Sequence, residues 1–229
     1  MLVDVIIPAY NPGSFLDKAI QSALGQSCDD INIIVIDDNS TEDVLSVVKK
    51  YKKVEYIKNE ENMGPSYSRN VGIKASGAPY ISFLDADDLW CPNKIKASLA
   101  AFDLDDSIGM TCGNYRRIMS AGRLTSPFYS GPISIDLNSL LRINYVASGS
   151  VTVKRSIIER AGLFDNRFRV CEDYALWLAI SKIAKIHYID EVLYLYRVIR
   201  GGNSITQHPG IKEAMDRNCE IIRSEIYDK

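Results

Sequence analysis

The feature that most constrains the fold is an alternation of short Val- and Ile-rich stretches with helical patterns over the first 90 residues. The apolar stretches lie at 3–8, 31–37, 54–59 and 79–85. Between them, apolar residues recur with helical spacing, and Pro65 stands early in the third helical segment, where a missing N–H costs nothing. Short buried strands that alternate with helices are typical of a parallel sheet with right-handed crossovers. The first part of the chain is therefore predicted to be a β-α-β-α-β-α-β unit.

The second part of the chain is less regular, but it shows no linker and no internal repeat. Helical spacing predicts helices at 92–102, 172–184 and 211–226. Apolar runs predict strands near 108–118, 185–190 and 192–198, and residues 148–155 are predicted to form a strand that leads into a short helix. Residues 119–135 are rich in Gly, Ser and Pro, which predicts a mobile loop.

These patterns together predict an α/β fold. We expect a Rossmann-like, mostly parallel central sheet flanked by helices, with a smaller mixed C-terminal region. The chain is predicted to be one domain over 1–229, with a nucleotide-binding half at 1–90 and an acceptor-binding half at 91–229.

The charge and the cysteine pattern exclude several classes of protein. The net charge of −2 does not imply a nucleic-acid partner. The five cysteines are widely spaced and include no C-x-x-C pair, so neither a zinc site nor a disulfide framework is indicated. The N-terminus lacks the layout of a signal peptide, and no apolar run approaches the roughly 18 residues of a membrane span. We predict a cytoplasmic protein, and this prediction is compatible with peripheral association at the inner face of the membrane.

Acidic and amide side chains follow three of the predicted strands. Residues 8–11 follow the first strand, 37–39 the second and 85–88 the fourth. The carboxyl ends of parallel strands meet at one edge of the sheet, where ligands bind. In an extended segment, Asp85 and Asp87 would point the same way. Their repulsion, about 1 kcal/mol at 4 Å in water, favours a bound Mn²⁺ or Mg²⁺ ion, which leaves coordination sites for the phosphates of a nucleotide diphosphate.

Simpler explanations of these acids are open at this point. An isolated D-x-D-D run is at least as often a set of surface charges or a helix cap. Asp37 stands where a dinucleotide-binding acid would, but the turn AYNPGSF after the first strand lacks G-x-G-x-x-G. That turn argues against a dehydrogenase, and it also lacks the Gly-rich basic loop of a nucleotidyltransferase.

Seven segments resemble, in order, the motifs of the family 2 glycosyltransferases, which have the GT-A fold. They are VIIPAYN (5–11), IVIDDNSTED (34–43), NMGPSYSRNVGI (62–73), ISFLDADDLW (81–90), GLFDNRF (162–168), CEDYALWL (171–178) and YRV with GGNS (196–204). Each segment alone is a weak signal. All seven in the family's order are specific, and the resemblance covers 3–205.

The resemblance implies a role for each candidate site residue. Asp85-Ala86-Asp87 resembles the D-x-D motif, in which Asp87 would contact the metal and Asp85 the ribose or the metal. Asp38 would hydrogen-bond the base, usually uracil, and Asp173 would be the catalytic base. The other nucleotide-sugar-binding residues implied are Pro8, Ala9, Tyr10, Asn11, Gly64, Arg69 and Ala86. Residues implied to lie behind the ligands or near the sugar or the acceptor are Glu172, Asp88, Trp90 and Arg200.

The implied reaction is a metal-dependent single displacement with inversion, of hexosyl or N-acetylhexosaminyl type. Asp173 would take the proton of an acceptor hydroxyl, which then attacks the anomeric carbon of a nucleotide-sugar, such as a UDP-sugar. The resemblance implies a saccharide or lipid-linked acceptor in envelope polysaccharide biosynthesis. Two alternatives stand beside this reading. Glu172 and Asp173 also suit a helix N-terminus on electrostatic grounds alone, and the chain also suits a non-catalytic nucleotide-sugar or carbohydrate-binding module. Core packing is the alternative role for Trp90.

The sequence departs from the family pattern at one place. Many relatives carry a histidine shortly after the pair that matches Tyr196-Arg197, and that histidine can complete the metal site. Ile199 and Arg200 stand in that region here, and the histidines of this chain, His187 and His208, lie outside the motif. A third protein ligand for the metal is therefore not predicted, and Arg200 is a candidate to contact the diphosphate directly.

Overall fold

The computed structural model describes residues 1–131, 133–199 and 210–227. Arg200 and the GGNS segment therefore lie outside the described residues. The strands are β1 (Val3–Ala9), β2 (Ile31–Asp37), β3 (Val54–Lys58), β4 (Tyr80–Phe83), β5 (Leu89–Trp90), β6 (Ile108–Ile118), β7 (Thr152–Lys154) and β8 (Lys185–Arg197). The helices are α1 (Phe15–Leu24), α2 (Val44–Val48), α3 (Pro65–Ala75), α4 (Lys94–Phe102), α5 (Leu137–Arg142), α6 (Arg155–Arg160), α7 (Glu172–Ser181) and α8 (Ile211–Tyr227).

These strands form a single sheet in the order β3-β2-β1-β4-β7-β6-β8-β5. Strand β1 pairs in parallel with β2 and β4, and β2 pairs in parallel with β3. Strand β7 is antiparallel to both of its neighbours, whereas β8 runs parallel to β6 and antiparallel to β5. The predicted fold class, a parallel N-terminal sheet with a mixed C-terminal region, is confirmed. The candidate site lies where the parallel strands β1, β2 and β4 end.

An apolar core covers each face of the sheet. Alternate residues of β1 point to opposite faces, so Ile6 belongs to one core and Val5 to the other. Helices α3 and α7 cover the face of Ile6, and α1 covers the other. Helix α3 lies very close to β1, since a Cβ atom at Gly72 would stand 2.5 Å from Ile6 Cγ2. This contact seats α3 directly against β1. Within the described residues, no helix is both long enough and apolar enough for a membrane span.

The two strands predicted at 185–190 and 192–198 form one continuous strand, β8. Gly113 of β6 pairs with Ile189, and the next residue, Asn114, pairs with Val192. Asp190 and Glu191 therefore form a bulge, which lets the strand pass two acidic residues without ending.

Other differences from the predicted elements lie around the site. The strand predicted at 148–155, leading into a short helix, is present as β7 followed by α6, but the first residues of that segment form a 3₁₀ turn, Ser148–Ser150. The short strand β5 was not predicted, because two residues carry no readable periodicity. The segment predicted as a mobile loop contains a 3₁₀ turn, Ser120–Gly122, and packs Phe128 on the Tyr115 ring with centroids 4.5 Å apart.

Candidate active site

The residues that follow β4, Asp85, Ala86, Asp87 and Asp88, form a tight turn and not the extended segment expected from the sequence. The N–H of Asp88 donates to the carbonyl of Asp85 at 3.1 Å, which closes the turn. Two residues of β8, Tyr194 and Arg197, bind Asp88 and so hold the end of this turn against the C-terminal part of the sheet. Burial, together with the charge of Asp85, raises the pKa of Asp87 to about 6. Asp85 and Asp87 therefore share one electrostatic environment, although the extended geometry expected for them was wrong.

Asp88 joins the D-x-D turn to the C-terminal part of the sheet. It is 1% exposed and accepts hydrogen bonds from the hydroxyl of Tyr194 and from the N–H of Arg197, the latter at 2.5 Å. Arg197 Nε donates in turn to the carbonyl of Asp87 at 2.7 Å. Burial, with the charges of Asp87 and Asp85, raises the pKa of Asp88 well above its ordinary value. The geometry gives Asp88 a supporting role behind the site.

Arg69 connects the two acidic segments of the site. It projects from α3 and is 4% exposed. Its Nη2 donates to Asp85 Oδ1 at 2.8 Å, and its Nη1 donates to Glu172 Oε1 at 2.7 Å. Burial opposes the positive charge, but the carboxylates of Asp85 and Glu172 outweigh it and raise the pKa of Arg69 above its ordinary value. A planar guanidinium with one bond to each carboxylate fixes the D-x-D turn relative to the start of α7.

Glu172 and Asp173 are the first residues of α7. They follow Cys171, whose left-handed backbone (φ 64°) turns the chain into the helix. Burial raises the pKa of Glu172 to about 7, with the charge of Arg69 opposing the rise and that of Asp173 adding to it. Glu172 is occupied by Arg69, which leaves Asp173 as the acid available for chemistry.

Asp173 is held by one hydrogen bond to each carboxylate oxygen. Ser148 Oγ donates to Oδ2 at 2.7 Å, and the N–H of Tyr174 donates to Oδ1 at 2.6 Å. Burial raises the pKa of Asp173, whereas the bond from Ser148 and the charge of Arg69 lower it. The charge of Asp85 also acts on Asp173, so the two acids lie in one electrostatic environment. A partly buried carboxylate with a raised pKa suits a general base near neutral pH.

Asp38 anchors the segment that leads into α3. Its Oδ1 accepts from Asn59 Nδ2 at 2.7 Å and from the N–H of Met63 at 3.0 Å, and its Oδ2 accepts from the N–H of Gly64 at 2.7 Å. Gly64 has a φ of 89°, which a residue with a Cβ rarely adopts. Asp38 is 4% exposed, so these bonds hold the loop in place. Its predicted contact with a nucleotide base stays a prediction.

The residues at 8–11 form the end of β1 and the turn beyond it. Pro8 and Ala9 are the last residues of β1, and Tyr10 is 48% exposed beside them. Asn11 has a left-handed φ of 46°, and its Oδ1 accepts from the N–H of Thr41 at 2.9 Å. This bond ties the turn after β1 to the segment after β2. Tyr10 is thereby presented at the same end of the sheet as Asp38 and the D-x-D turn.

The family of the chain follows from comparison with known proteins. A sequence profile described as glycosyl transferase family 2 matches residues 4–161, more than half of the chain. The chain belongs to glycosyl transferase family 2. The resemblance of its motifs to this family is therefore confirmed.

Several proteins named as glycosyltransferases match most of the chain. An Escherichia coli protein named UDP-Glc:alpha-D-GlcNAc-diphosphoundecaprenol beta-1,3-glucosyltransferase WfaP is 32% identical, over 97% of this chain and 86% of that protein. The putative teichuronic acid biosynthesis glycosyltransferase TuaG of Bacillus subtilis is 28% identical, over 97% of this chain and 89% of that protein. An uncharacterized glycosyltransferase of Rickettsia bellii is 33% identical over 90% of this chain, which spans only 30% of that relative.

Solved structures show the same fold. S. aureus TarS 1–349 in complex with UDP-GlcNAc matches with a TM-score of 0.80 and 22% identity, over 97% of this chain and 66% of that chain. A second crystal structure of S. aureus TarS 1–349 matches with a TM-score of 0.73 and 21% identity, over 86% of this chain and 60% of that chain. The GT-A fold expected for a family 2 chain is confirmed.

Several residues of this candidate site were not predicted as site residues. Ser148 bonds Asp173, Tyr194 bonds Asp88, and Arg197 bonds the D-x-D turn. None lies beside its partner in the sequence, so no local spacing indicates the contact. Trp90, predicted near the sugar with core packing as the alternative, is 4% exposed, and its Nε1 donates to the carbonyl of Gly149 at 2.6 Å.

The D-x-D carboxylates fit a hard divalent cation. Asp85 and Asp87 offer oxygen donors, the ligand type that Mg²⁺ and Mn²⁺ prefer. Among the described residues, no cluster of three or more His, Cys, Asp or Glu side chains could hold a metal ion. Such ions are often bound through one or two carboxylates together with substrate phosphates. The donor set therefore fits an ion that is completed by a bound diphosphate.

Proposed function

We propose that the protein is an inverting glycosyltransferase that moves a sugar from a UDP-sugar to a hydroxyl of a saccharide or lipid-linked acceptor. The observation that carries the proposal is the link between Asp173 and the D-x-D turn. Arg69 bonds both Asp85 and Glu172, and Glu172 is the residue before Asp173. A general base and a diphosphate-binding acid are thereby fixed in one site.

The proposed mechanism assigns the proton transfer to Asp173. Its carboxylate takes the proton of the acceptor hydroxyl as the oxygen attacks the anomeric carbon, and the bond from that carbon to the diphosphate breaks on the opposite face. The carboxylate has about four lone-pair positions, and the bonds from Ser148 and Tyr174 use two of them. Room is left for the acceptor hydroxyl. Arg69 keeps Glu172 occupied, so the proton goes to Asp173.

We assign donor binding to the half at 1–90 and acceptor binding to the half at 91–229. Tyr10, exposed at the end of β1, would pack on the base, while Asp38 holds the adjoining loop. Asp85 and Asp87 would hold a Mn²⁺ or Mg²⁺ ion, which stabilises negative charge on the leaving diphosphate when bound. The name of the E. coli relative, with its UDP-Glc donor and diphosphoundecaprenol-linked acceptor, supports this reading. A lipid-linked acceptor would place the protein at the cytoplasmic face of the membrane, in envelope polysaccharide biosynthesis.

The proposal is tested with the variant Asp173→Asn. Loss of the base should lower transfer by about 10²–10⁴-fold and leave the affinity for UDP unchanged. Transfer is measured as UDP released from UDP-glucose and from UDP-N-acetylglucosamine, with a panel of saccharide and undecaprenyl-diphosphate-linked acceptors. UDP affinity is measured by calorimetry.

The matched control is Asp103→Asn, which changes an exposed aspartate just after α4. It should transfer as fast as the parent protein. Full transfer by Asp173→Asn would refute the assignment of the base. UDP binding without acceptor-dependent turnover in the parent protein would favour the non-catalytic module.

A further inference from the structure

The partner of Asp173 is a hydroxyl on a short turn from a different part of the chain. Ser148 begins the 3₁₀ turn Ser148–Ser150, and its Oγ donates to Asp173 Oδ2 at 2.7 Å. No other side chain among the described residues donates a hydrogen bond to Asp173; its second bond comes from the backbone N–H of Tyr174. The hydroxyl of Ser148 and the N–H of Tyr174 therefore together fix how the carboxylate plane is turned about its side-chain bond.

The turn that carries Ser148 is braced from behind. Trp90 Nε1 donates to the carbonyl of Gly149 at 2.6 Å, and Lys94 Nζ donates to the carbonyl of Val151 at 2.8 Å. Trp90 and Lys94 are 4% and 0% exposed, so both braces belong to the packed interior. Gly149 lies flat against the ring of Tyr194, where any Cβ atom would overlap the ring.

The same Tyr194 also binds the D-x-D turn. Its hydroxyl donates to Asp88, the residue that follows the candidate metal ligands. A continuous path therefore runs from the D-x-D turn through the Tyr194 ring to Gly149, and from Ser148 to Asp173. Rigid support of this kind is what keeps a reacting group within the narrow geometry that catalysis needs.

We propose that Ser148 is a positioning residue for Asp173: its hydroxyl orients the carboxylate toward the acceptor and holds it in register with the D-x-D turn. This inference rests on the proposed function. Ser148 itself does not touch the reacting atoms and exchanges no proton with substrate. It acts through the hydrogen bond to Oδ2, because a hydroxyl in that position stabilises the ionised carboxylate and disfavours the protonated one.

The other charged groups around Asp173 also shift the pKa of its carboxyl group. Arg69 from α3 favours the ionised form, whereas Asp85 from the D-x-D turn opposes it. Glu172 and Cys171, its neighbours in the chain, are acidic groups that interact with it as well. Burial raises the pKa of Asp173, and the hydrogen bond from Ser148 has the largest effect among those that lower it. Loss of the hydroxyl should therefore raise the pKa of the base.

The experiment compares Ser148→Ala with Ser148→Thr and with Ser181→Ala in the full chain. Ser148→Thr keeps the hydroxyl. Ser181→Ala removes a hydroxyl from the last residue of α7, the helix that carries Asp173, where the hydroxyl donates to the carbonyl of Leu178. The pKa of Asp173 is measured by ¹³C NMR titration of its carboxyl carbon, assigned with Asp173→Asn. UDP release from a UDP-sugar is measured against pH with the best acceptor of the panel above.

In Ser148→Ala we expect the pKa of Asp173 and the acid limb of kcat/KM to rise by about one pH unit, since a hydrogen bond to a charged group is worth at least about a tenfold change in an equilibrium. At pH values below the pKa of Asp173, kcat/KM of Ser148→Ala should be about tenfold lower than that of the parent protein, while the KM for the donor stays unchanged. Ser148→Thr and Ser181→Ala should match the parent protein in both measurements.

An unchanged pKa and an unchanged pH profile in Ser148→Ala would overturn the inference and leave the proposed function intact. A shifted pKa of Asp173 in a protein that shows no transfer would do the reverse: the hydrogen bond would be established, and the proposed function would fail. A lower kcat/KM at every pH in Ser148→Ala, with a parent-like pKa of Asp173 and an unshifted pH profile, would also overturn the inference, because it would reduce Ser148 to a packing role.

Discussion

At the scale of single residues, the site depends on which acid is neutralised and which is left free. Asp85 and Glu172 each accept a bond from Arg69, and Asp88 accepts from Tyr194 and Arg197. Asp87 and Asp173 receive no such bond from an arginine side chain among the described residues. Three of the five acids are thus bound by Arg69, or by Tyr194 and Arg197, whereas Asp173 accepts bonds from Ser148 and from the N–H of Tyr174. Burying the guanidinium of Arg69 costs desolvation free energy, and its hydrogen bonds to both Asp85 and Glu172 offset that cost.

The raised pKa of Asp87 predicts how metal binding should depend on pH. Its pKa of about 6 means that a proton competes for the carboxylate in mildly acidic solution. The affinity for Mn²⁺ in the presence of UDP should therefore fall about tenfold from pH 7 to pH 5, beyond any change in UDP itself. Calorimetry or electron paramagnetic resonance of Mn²⁺ measures this.

Asp87→Asn is the control for this prediction. The phosphate of UDP titrates in the same pH range in both proteins, so the difference between them isolates Asp87. The variant should bind Mn²⁺ more weakly at pH 7 and lose the extra pH dependence. Folding stability in the metal-free protein depends on pH in the opposite direction to Mn²⁺ affinity. The raised pKa of Asp87 stabilises the fold fully below the unfolded pKa of about 4, and this contribution is lost as the pH rises through 6. Equal Mn²⁺ affinity at pH 5 and pH 7 in the parent protein would contradict the assignment of Asp87 as a ligand.

At the scale of secondary-structure elements, the approach of α3 to β1 places Arg69 and Gly64. The helix lies so close to the strand that position 72, which packs over Ile6, has no space for a side chain larger than that of glycine. Gly72→Ala should lower the free energy of unfolding by about 1–3 kcal/mol, the usual cost of overpacking a dense core. Urea unfolding of the purified protein measures this difference.

Gly77→Ala is the matched control for the helix contact. A Cβ atom at Gly77 would meet nothing within 4 Å, and the backbone there does not have the positive φ that strains other residues. Its unfolding free energy should stay within about 0.5 kcal/mol of the parent value. If both variants are equally stable, α3 does not depend on the close contact with Ile6.

The elements also show how far the sequence predicts this molecule. Strands β1 to β4, α3 and the acids at the strand ends were predictable, because apolar runs, helical spacing and the D-x-D motif are local signals. The tight turn at Asp85 and the role of Ser148 were not. The turn is joined to β8 by the bond between Asp88 and Tyr194, 106 residues apart, and Ser148 meets Asp173 across 25 residues. Contacts over such separations leave no periodicity in the sequence.

At the scale of the whole molecule, the described contacts join the two predicted halves at the site itself. Arg69 reaches Glu172 across 103 residues, and Asp88 reaches Tyr194 across 106. One sheet also runs through both, because β4 pairs with β7 and β5 pairs with β8. The donor-side acids and the base are therefore parts of one packed unit, and a ligand that binds the D-x-D turn should stabilise the fold as a whole.

This coupling predicts that UDP and Mn²⁺ raise the melting temperature together. A ligand at about 100 times its dissociation constant adds about 2.7 kcal/mol of stability, which corresponds to about 5–10 °C in a protein of this size. Since Asp85 and Asp87 repel both each other and a bare diphosphate, UDP alone or Mn²⁺ alone should give a much smaller shift. UMP with Mn²⁺ should also give little, because it lacks the second phosphate that completes the coordination of the ion, and Asp87→Asn should lose the joint effect. A full shift with UDP in the absence of any divalent cation would mean that protein side chains alone neutralise the diphosphate, and the metal-dependent form of the mechanism would then have to be abandoned.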